Sequence, residues 1–161
     1  MAINSKNKGN TYERKIANVL SDRFAQHLGL DNGFVRNVDS GSYFGASNQT
    51  RLKSHILDNA RFGDIVAPPS FKFVLECKHY KAAPSFTMMI KQDCKLFDGW
   101  IAQAQRDANN AGKRMMIIAK FNNVPDFVIS DDQRNAFGRY NQFWMTSLSD
   151  WLAKADQDFF D

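Results

Sequence analysis

The run Gly63-Asp64-Ile65-Val66-Ala67-Pro68-Pro69-Ser70-Phe71-Lys72-Phe73-Val74-Leu75-Glu76-Cys77-Lys78 constrains this chain most. Ile65-Val66 and the stretch from Phe71 to Leu75 are rich in β-branched and aromatic residues, as strands require. Pro68-Pro69 cannot donate to a sheet ladder, so the prolines belong at a turn or an edge. If the two strands pair antiparallel with Asp64 opposite Glu76, the turn centres on Ser70, directly after the prolines. Side chains alternate along a strand. Phe73, Leu75 and Cys77 then share one face, Val74, Glu76 and Lys78 share the other, and Asp64 joins the second set from the neighbouring strand.

Two carboxylates this close repel and raise each other's pKa unless a cation neutralises them. Hard oxygen ligands with open positions suit Mg²⁺, with Mn²⁺ as a substitute. Such a metal lowers the pKa of water and stabilises charge on a phosphate. A lysine beside it, Lys78, can hold the attacking water or neutralise the transition state. That is equipment for cutting phosphodiester bonds. The plainer alternative is an exposed hairpin face that happens to carry an Asp and a Glu-x-Lys pair, and the pattern leaves both readings open.

With 161 residues the chain reads as a single domain, 1–161, large enough for a real core. Apolar residues make up 43% and there are fourteen Phe, which excludes a disordered chain. The net charge of +4 agrees with a nucleic-acid partner. Cys77 and Cys94 form no CxxC and no Cys/His cluster. Reduced thiols, no structural zinc and a cytoplasmic location are therefore expected. The polar start, Met1 to Lys6, has no signal-peptide pattern, and no apolar run approaches spanning length, so no membrane contact is expected.

Residues 1–10 read as a flexible basic arm with Lys6 and Lys8. Tyr12, Ile16, Val19, Leu20, Phe24 and Leu28 predict a helix from Thr11 to Leu28, ended by Gly29 and an Asp31-Asn32-Gly33 turn. Glu13 lies about 100° round from Tyr12, at the edge of the apolar sector. It is either an N-terminal acid favoured by the helix dipole or a functional carboxylate. Phe34 to Val38 reads as a first strand. Residues 39–61 form a long loop region with a basic cluster of Arg51, Lys53 and His55 and a short helix over Ile56 to Ala60. Its serines, glycines and cations suit phosphate contact, and a solvated loop is the alternative. His79 has no partner His nearby and reads as a surface or substrate-contacting residue.

Beyond the hairpin, Trp100, Ala104, Ala108 and Ala111 predict a helix over Phe97 to Ala111, stopped by Gly112. Arg114 to Phe121 is apolar enough for a central strand. Phe127 to Ile129 reads as a further strand, Asp131 to Arg139 as a hairpin and Phe143 to Met145 as a last edge strand. Ser147 or Ser149 starts a short C-terminal helix with Leu148, Trp151 and Leu152 inward.

Taken in order, Lys8-Gly9-x-x-x-Glu13-Arg14, Arg36-x-x-x-Ser40-Gly41, Gly63-Asp64-Ile65, Glu76-Cys77-Lys78 and Trp100-x-x-Gln103-Ala104 resemble one family. It is that of the archaeal-type Holliday junction resolvases, virus-encoded relatives included, within the PD-(D/E)XK nuclease superfamily. The resemblance spans residues 8 to 121. It implies an α/β fold with a restriction-endonuclease-like core, a central mixed β-sheet flanked by helices. It also implies a homodimer that nicks two opposed strands of a four-way DNA junction. By motif matching, Asp64, Glu76 and the backbone carbonyl of Cys77 hold the metal, Lys78 is the catalytic lysine and Glu13 contacts the metal or its water. Ser40 approaches the scissile phosphate, and Gln103 lines the site. Gly63 stands where the superfamily's name has proline, and the segment between Ser40 and Asp64 is longer than in compact archaeal members.

Expected DNA contacts are Lys6, Lys8, Arg14, Arg36, Ser40, Arg51, Lys53 and Lys81, made to phosphates and shape with little base readout. The rival readings are a nuclease of the same fold for other DNA structures, of repair or restriction type, a catalytically silent DNA-binding module, and an assembly protein. The gathered acid-acid-lysine set argues against the silent binding module, and an assembly protein would bury the aromatics in a large interface and show no DNA affinity.

Overall fold

A computed structural model of the chain describes residues 5–29, 33–37 and 62–161. Helix α1 runs Ser5–Leu28, followed by strands β1 (Val35–Arg36), β2 (Ile65–Val66) and β3 (Phe73–Tyr80). Helices α2 (Phe86–Lys91) and α3 (Lys95–Ala111) lead to β4 (Arg114–Phe121). Strands β5 (Phe127–Ser130), β6 (Ala136–Tyr140) and β7 (Phe143–Ser147) precede helix α4 (Leu148–Leu152) and a 3₁₀ turn at Asp156–Asp158. The seven strands form one sheet in the order β1-β2-β3-β4-β5-β7-β6. Among the described residues only β3 and β4 run parallel; the other neighbours are antiparallel, so the sheet is mixed. The expected α/β sandwich of a mixed sheet between helices is what the chain forms.

Strand alternation sorts the core into two layers. Phe73, Leu75 and Cys77 of β3 and Met116 and Ile118 of β4 meet Tyr12, Ile16, Leu20 and Phe24 of α1. Leu148 and Trp151 of α4, together with Phe159 and Phe160, complete that layer. Val74 of β3 and Met115, Ile117 and Ala119 of β4 face Phe97, Trp100, Ala104 and Ala108 of α3. The i, i+4 spacing of Tyr12, Ile16, Leu20 and Phe24 holds α1 helical, and Gly29 ends it at φ +69° with its N–H on the Ala25 carbonyl (3.0 Å). Gly112 ends α3 in the same way at φ +65°. Tyr140 fastens the start of α3: its hydroxyl takes the Cys94 N–H (2.8 Å) and donates to Asp98 Oδ1 (2.8 Å).

Several expectations change. α1 begins at Ser5, six residues before Thr11, so most of the segment expected to be an arm is helical. The first strand is two residues long rather than five. The last edge strand is β6, not Phe143–Met145, because β7 pairs with both β5 and β6. β6 suits the edge, since Phe137 and Arg139 point to solvent while the β7 residues Phe143, Met145 and Thr146 are buried. α2 was not anticipated. The loop region of residues 39–61, with its basic cluster and short helix, lies outside the described residues. Among the described residues no helix is long and apolar enough to cross a membrane.

The parallel β3–β4 pair requires a crossover, and α2 and α3 supply it. Ala104 and Ala108 are fully buried on the sheet, so α3 sits close to β4. Ala104→Leu is expected to destabilise the fold by ~1–3 kcal/mol through overpacking. Gly99, on the same helix, has open space where a Cβ would go; Gly99→Ala is expected to stabilise by ~0.4–1 kcal/mol. Urea denaturation reads both, and a neutral Ala104→Leu would contradict the close seating of α3.

Candidate active site

The site forms where β2 stops against β3. Ile65 pairs with Leu75, which places Asp64 opposite Glu76, the register expected from the sequence. Gly63 makes that register possible. It adopts φ +77°, and a Cβ there would lie 2.5 Å from the Leu75 carbonyl oxygen. No side chain fits, and no proline can adopt that φ, so glycine at this position is a requirement of the backbone. Three further bonds fix the segment. Asp64 N–H donates to Leu75 O (2.8 Å), Asp64 O accepts from Asn37 N–H (2.8 Å), and the buried Asn37 side chain donates to Gly63 O (3.0 Å).

Asp64 Oδ2 accepts the Cys77 N–H at 2.8 Å. The side chain thus continues the ladder where the β2 backbone has ended. N–H and carbonyl of one strand residue point to the same edge, so the Cys77 carbonyl faces this gap too. Glu76 is only 1% exposed and projects toward α3. Its Oε2 accepts from Lys78 Nζ (2.8 Å) and from Gln103 Nε2 (2.9 Å), while Gln103 Oε1 accepts from Lys78 Nζ (3.1 Å). Gln103 therefore locks Glu76 and Lys78 in a closed triangle, one turn of α3 after Trp100 anchors the helix. Asp64 Oδ1 and Glu76 Oε1 take no hydrogen bond among the described residues.

Glu13 reaches the same edge from the α1 side. It forms an ion pair with Arg36, whose Nη2 also donates to Asn10 Oδ1 (2.8 Å). Arg36, expected on a phosphate, is paired with Glu13 and Asn10 in the chain without DNA. Arg14 and Lys81 are exposed, as phosphate contacts require. Lys8 binds the Asn122 side chain (3.0 Å). Ser40, Arg51 and Lys53 lie outside the described residues, as does the side chain of Lys6. Asn37 and Asn10 were not foreseen; each acts through a partner distant in sequence, and neither stands in a recognisable motif.

The electrostatics show an excess of negative charge. Burial, then the Asp64 carboxylate, push Glu76 up to about 7, against the opposing pull of Lys78. Burial alone would lower Lys78, but the Glu76 carboxylate outweighs it and holds Lys78 above its ordinary value, hence protonated. The two partners shift in the same direction because Glu76 feels burial and Asp64 as well as Lys78. Burial and the charges of Asp64, Glu13 and Glu76 raise the Cys77 thiol, so it stays protonated and inert.

Among the described residues no three His, Cys, Asp or Glu side chains form a ready metal cage. The donors fit a hard cation nonetheless. Two oxygens without partners among the described residues, the Cys77 carbonyl and uncompensated negative charge suit an ion that takes its remaining ligands from water and phosphate.

A family model described as "Phage putative PDDEXK endonuclease" matches residues 4–158. The chain belongs to this family. PD-(D/E)XK nucleases generally use divalent metals. Comparisons with curated proteins and with solved structures found no match.

An acid whose folded pKa is raised stabilises the fold in its protonated form. Glu76 therefore contributes full stability below its ordinary 4.5, and that contribution is lost as pH rises through about 7. In EDTA, the melting temperature of the wild type is expected to decline over this window, and Glu76→Gln to flatten the decline. Mn²⁺ should raise the wild-type melting temperature more at pH 8 than at pH 6, because the ligand must be ionised to bind. An unchanged profile in Glu76→Gln would contradict the assignment.

Proposed function

We propose that this protein is a Mg²⁺-dependent endodeoxyribonuclease that acts as a homodimer and resolves four-way DNA junctions by paired hydrolytic nicks. The observation that carries the nuclease reading is the meeting of Asp64, Glu76 and Lys78 across the β2–β3 register, braced by Gln103. The junction reading rests on the sequence resemblance, and on the match between a two-fold dimer and a substrate with two equivalent cut sites.

Asp64, Glu76 and the Cys77 carbonyl would hold the metal, which supplies Lewis acidity toward phosphate and water. Lys78, kept protonated by Glu76, donates to a phosphate oxygen and offsets the charge that grows in the transition state. Gln103 holds Lys78 and Glu76 in fixed relative positions, so little reorganisation accompanies the reaction. Glu13, steadied by Arg36, orients water from the α1 side. The products are 5′-phosphate and 3′-hydroxyl ends.

The test is cleavage of a labelled immobile four-way junction with Mg²⁺, beside a linear duplex of the same sequence. Symmetric nicks confined to the junction are expected, with a loss of about 10³-fold or more in Glu76→Ala and roughly 10²–10³-fold in Lys78→Ala. Equal cutting of the linear duplex would remove the junction claim and keep the nuclease. DNA binding with no cutting in either Mg²⁺ or Mn²⁺ would remove the nuclease. Only monomer in analytical ultracentrifugation, with and without junction, would remove the paired nick.

A further inference from the structure

On the α1 face, beyond the catalytic edge, the C-terminal ends of β3 and β4 carry a second cluster of charge. Lys8, Tyr12 and Lys15 lie at i, i+4 and i+7 on α1 and so form one stripe of the helix. Glu13 lies beside this stripe, on the side facing Arg36. His79 of β3 is the register partner of Lys120 of β4, which puts their side chains on the same face as Tyr12. Asp126, at the start of β5, ties the group together. Its Oδ2 accepts from Lys15 Nζ (2.8 Å) and its Oδ1 from Lys120 Nζ (3.1 Å). Among the described residues the third lysine, Lys8, bonds only to the neutral amide oxygen of Asn122 (3.0 Å).

Three lysines therefore face one aspartate. Burial opposes the Asp126 charge, but the two lysine contacts lower its pKa overall, so it stays ionised and the cluster keeps two uncompensated positive charges. Half of the Lys15 side chain and a third of Lys120 remain exposed. Beneath them lies Tyr12, only 3% exposed, with its hydroxyl unpaired among the described residues. Its ring stands 5.2 Å from the His79 ring, and Lys15 Nζ lies 5.8 Å from its centroid. An orphaned buried hydroxyl is costly unless a ligand completes it. The cluster also lies at the carboxyl ends of the parallel strand pair, where open α/β sheets bind ligands, and His79 directly follows the catalytic Lys78.

We infer that Lys8, Lys15 and Lys120, carried over Tyr12 and aligned by Asp126, form a second phosphate site that holds a backbone phosphate of the bound DNA apart from the scissile one. This rests on the nuclease reading above. Asp126 here is a positioning residue: it keeps two flexible lysines extended over one spot, which lowers the entropy lost when a phosphate arrives. An acidic peptide would present carboxylates singly, whereas a DNA strand brings phosphates at a fixed spacing from the one at Lys78.

The experiment measures DNA binding of the full chain in Ca²⁺, with duplex and junction probes, as a function of salt. Lys15→Gln/Lys120→Gln/Asp126→Asn removes the lysine charges without leaving a buried carboxylate unpaired, and circular dichroism checks its fold. The triple variant is expected to bind several-fold more weakly, with the slope of log K against log salt reduced by about one phosphate's worth, ~0.9. Asp126→Asn alone, which keeps both lysines but frees them, is expected to retain the wild-type slope with weaker binding. A folded triple variant with wild-type affinity and slope overturns the inference while the nuclease reading stands. A wild type that neither binds nor cuts DNA removes the nuclease reading itself. An effect of the triple variant on an acidic peptide but not on DNA would assign the cluster to a protein partner and overturn the inference.

Discussion

Everything at the candidate site depends on how the short strand β2 stops against β3. The pairing of Ile65 with Leu75 sets Asp64 opposite Glu76, and a slip of one residue would turn Asp64 away from the site. A two-residue strand is too short to hold register by its own ladder. The chain compensates with backbone fixtures. Gly63 takes a left-handed conformation pressed against the Leu75 carbonyl, Asn37 donates to the Gly63 and Asp64 carbonyls in succession, and the Asp64 carboxylate itself completes the edge of β3 through the Cys77 N–H. The proline in the superfamily's name is thus not a chemical requirement. What the site needs is a chain that turns sharply away from β3 just before the acid.

The second constraint is electrostatic. Placing Glu76 at 1% exposure next to Asp64 is unfavourable for the free protein. Lys78 and Gln103 offset part of that cost, and the residual is visible in a carboxyl raised to about 7. Such strain at a site is tolerated when a ligand relieves it. A divalent cation would do so, and the rest of the fold supplies rigid support: α3 is pinned by Tyr140 at its start and seated by Ala104 and Ala108, with Gln103 directly before Ala104.

Much of this was legible in the sequence because the information is local. The alternation of Phe73, Leu75 and Cys77 against Val74, Glu76 and Lys78 needs no knowledge of distant partners, and the prolines before Ser70 fix the turn. The apolar period of α3 ends at Gly112 as expected, and β4 has the predicted bounds. What was missed depends on tertiary context. Ser5 to Asn10 carry no apolar period, so the first turns of α1 left no trace. α2 buries none of its residues, and Phe86, Met88 and Ile90 face solvent, so periodicity gave no signal for a helix. β6 and β7 are five residues each, and only pairing distinguishes interior from edge. The Glu13–Arg36 pair spans 23 positions, and Asn37 acts on a residue 26 positions away.

The central claim is that Asp64, Glu76 and the Cys77 carbonyl share one cation. Anomalous diffraction from a crystal soaked in Mn²⁺ tests it most directly. The account predicts a single strong peak between the Asp64 and Glu76 carboxylates, within coordination distance of the Cys77 carbonyl oxygen and absent in Asp64→Asn. A peak elsewhere, or a Glu76–Lys78–Gln103 triangle that stays closed with no metal at saturating Mn²⁺ above pH 7, would contradict it.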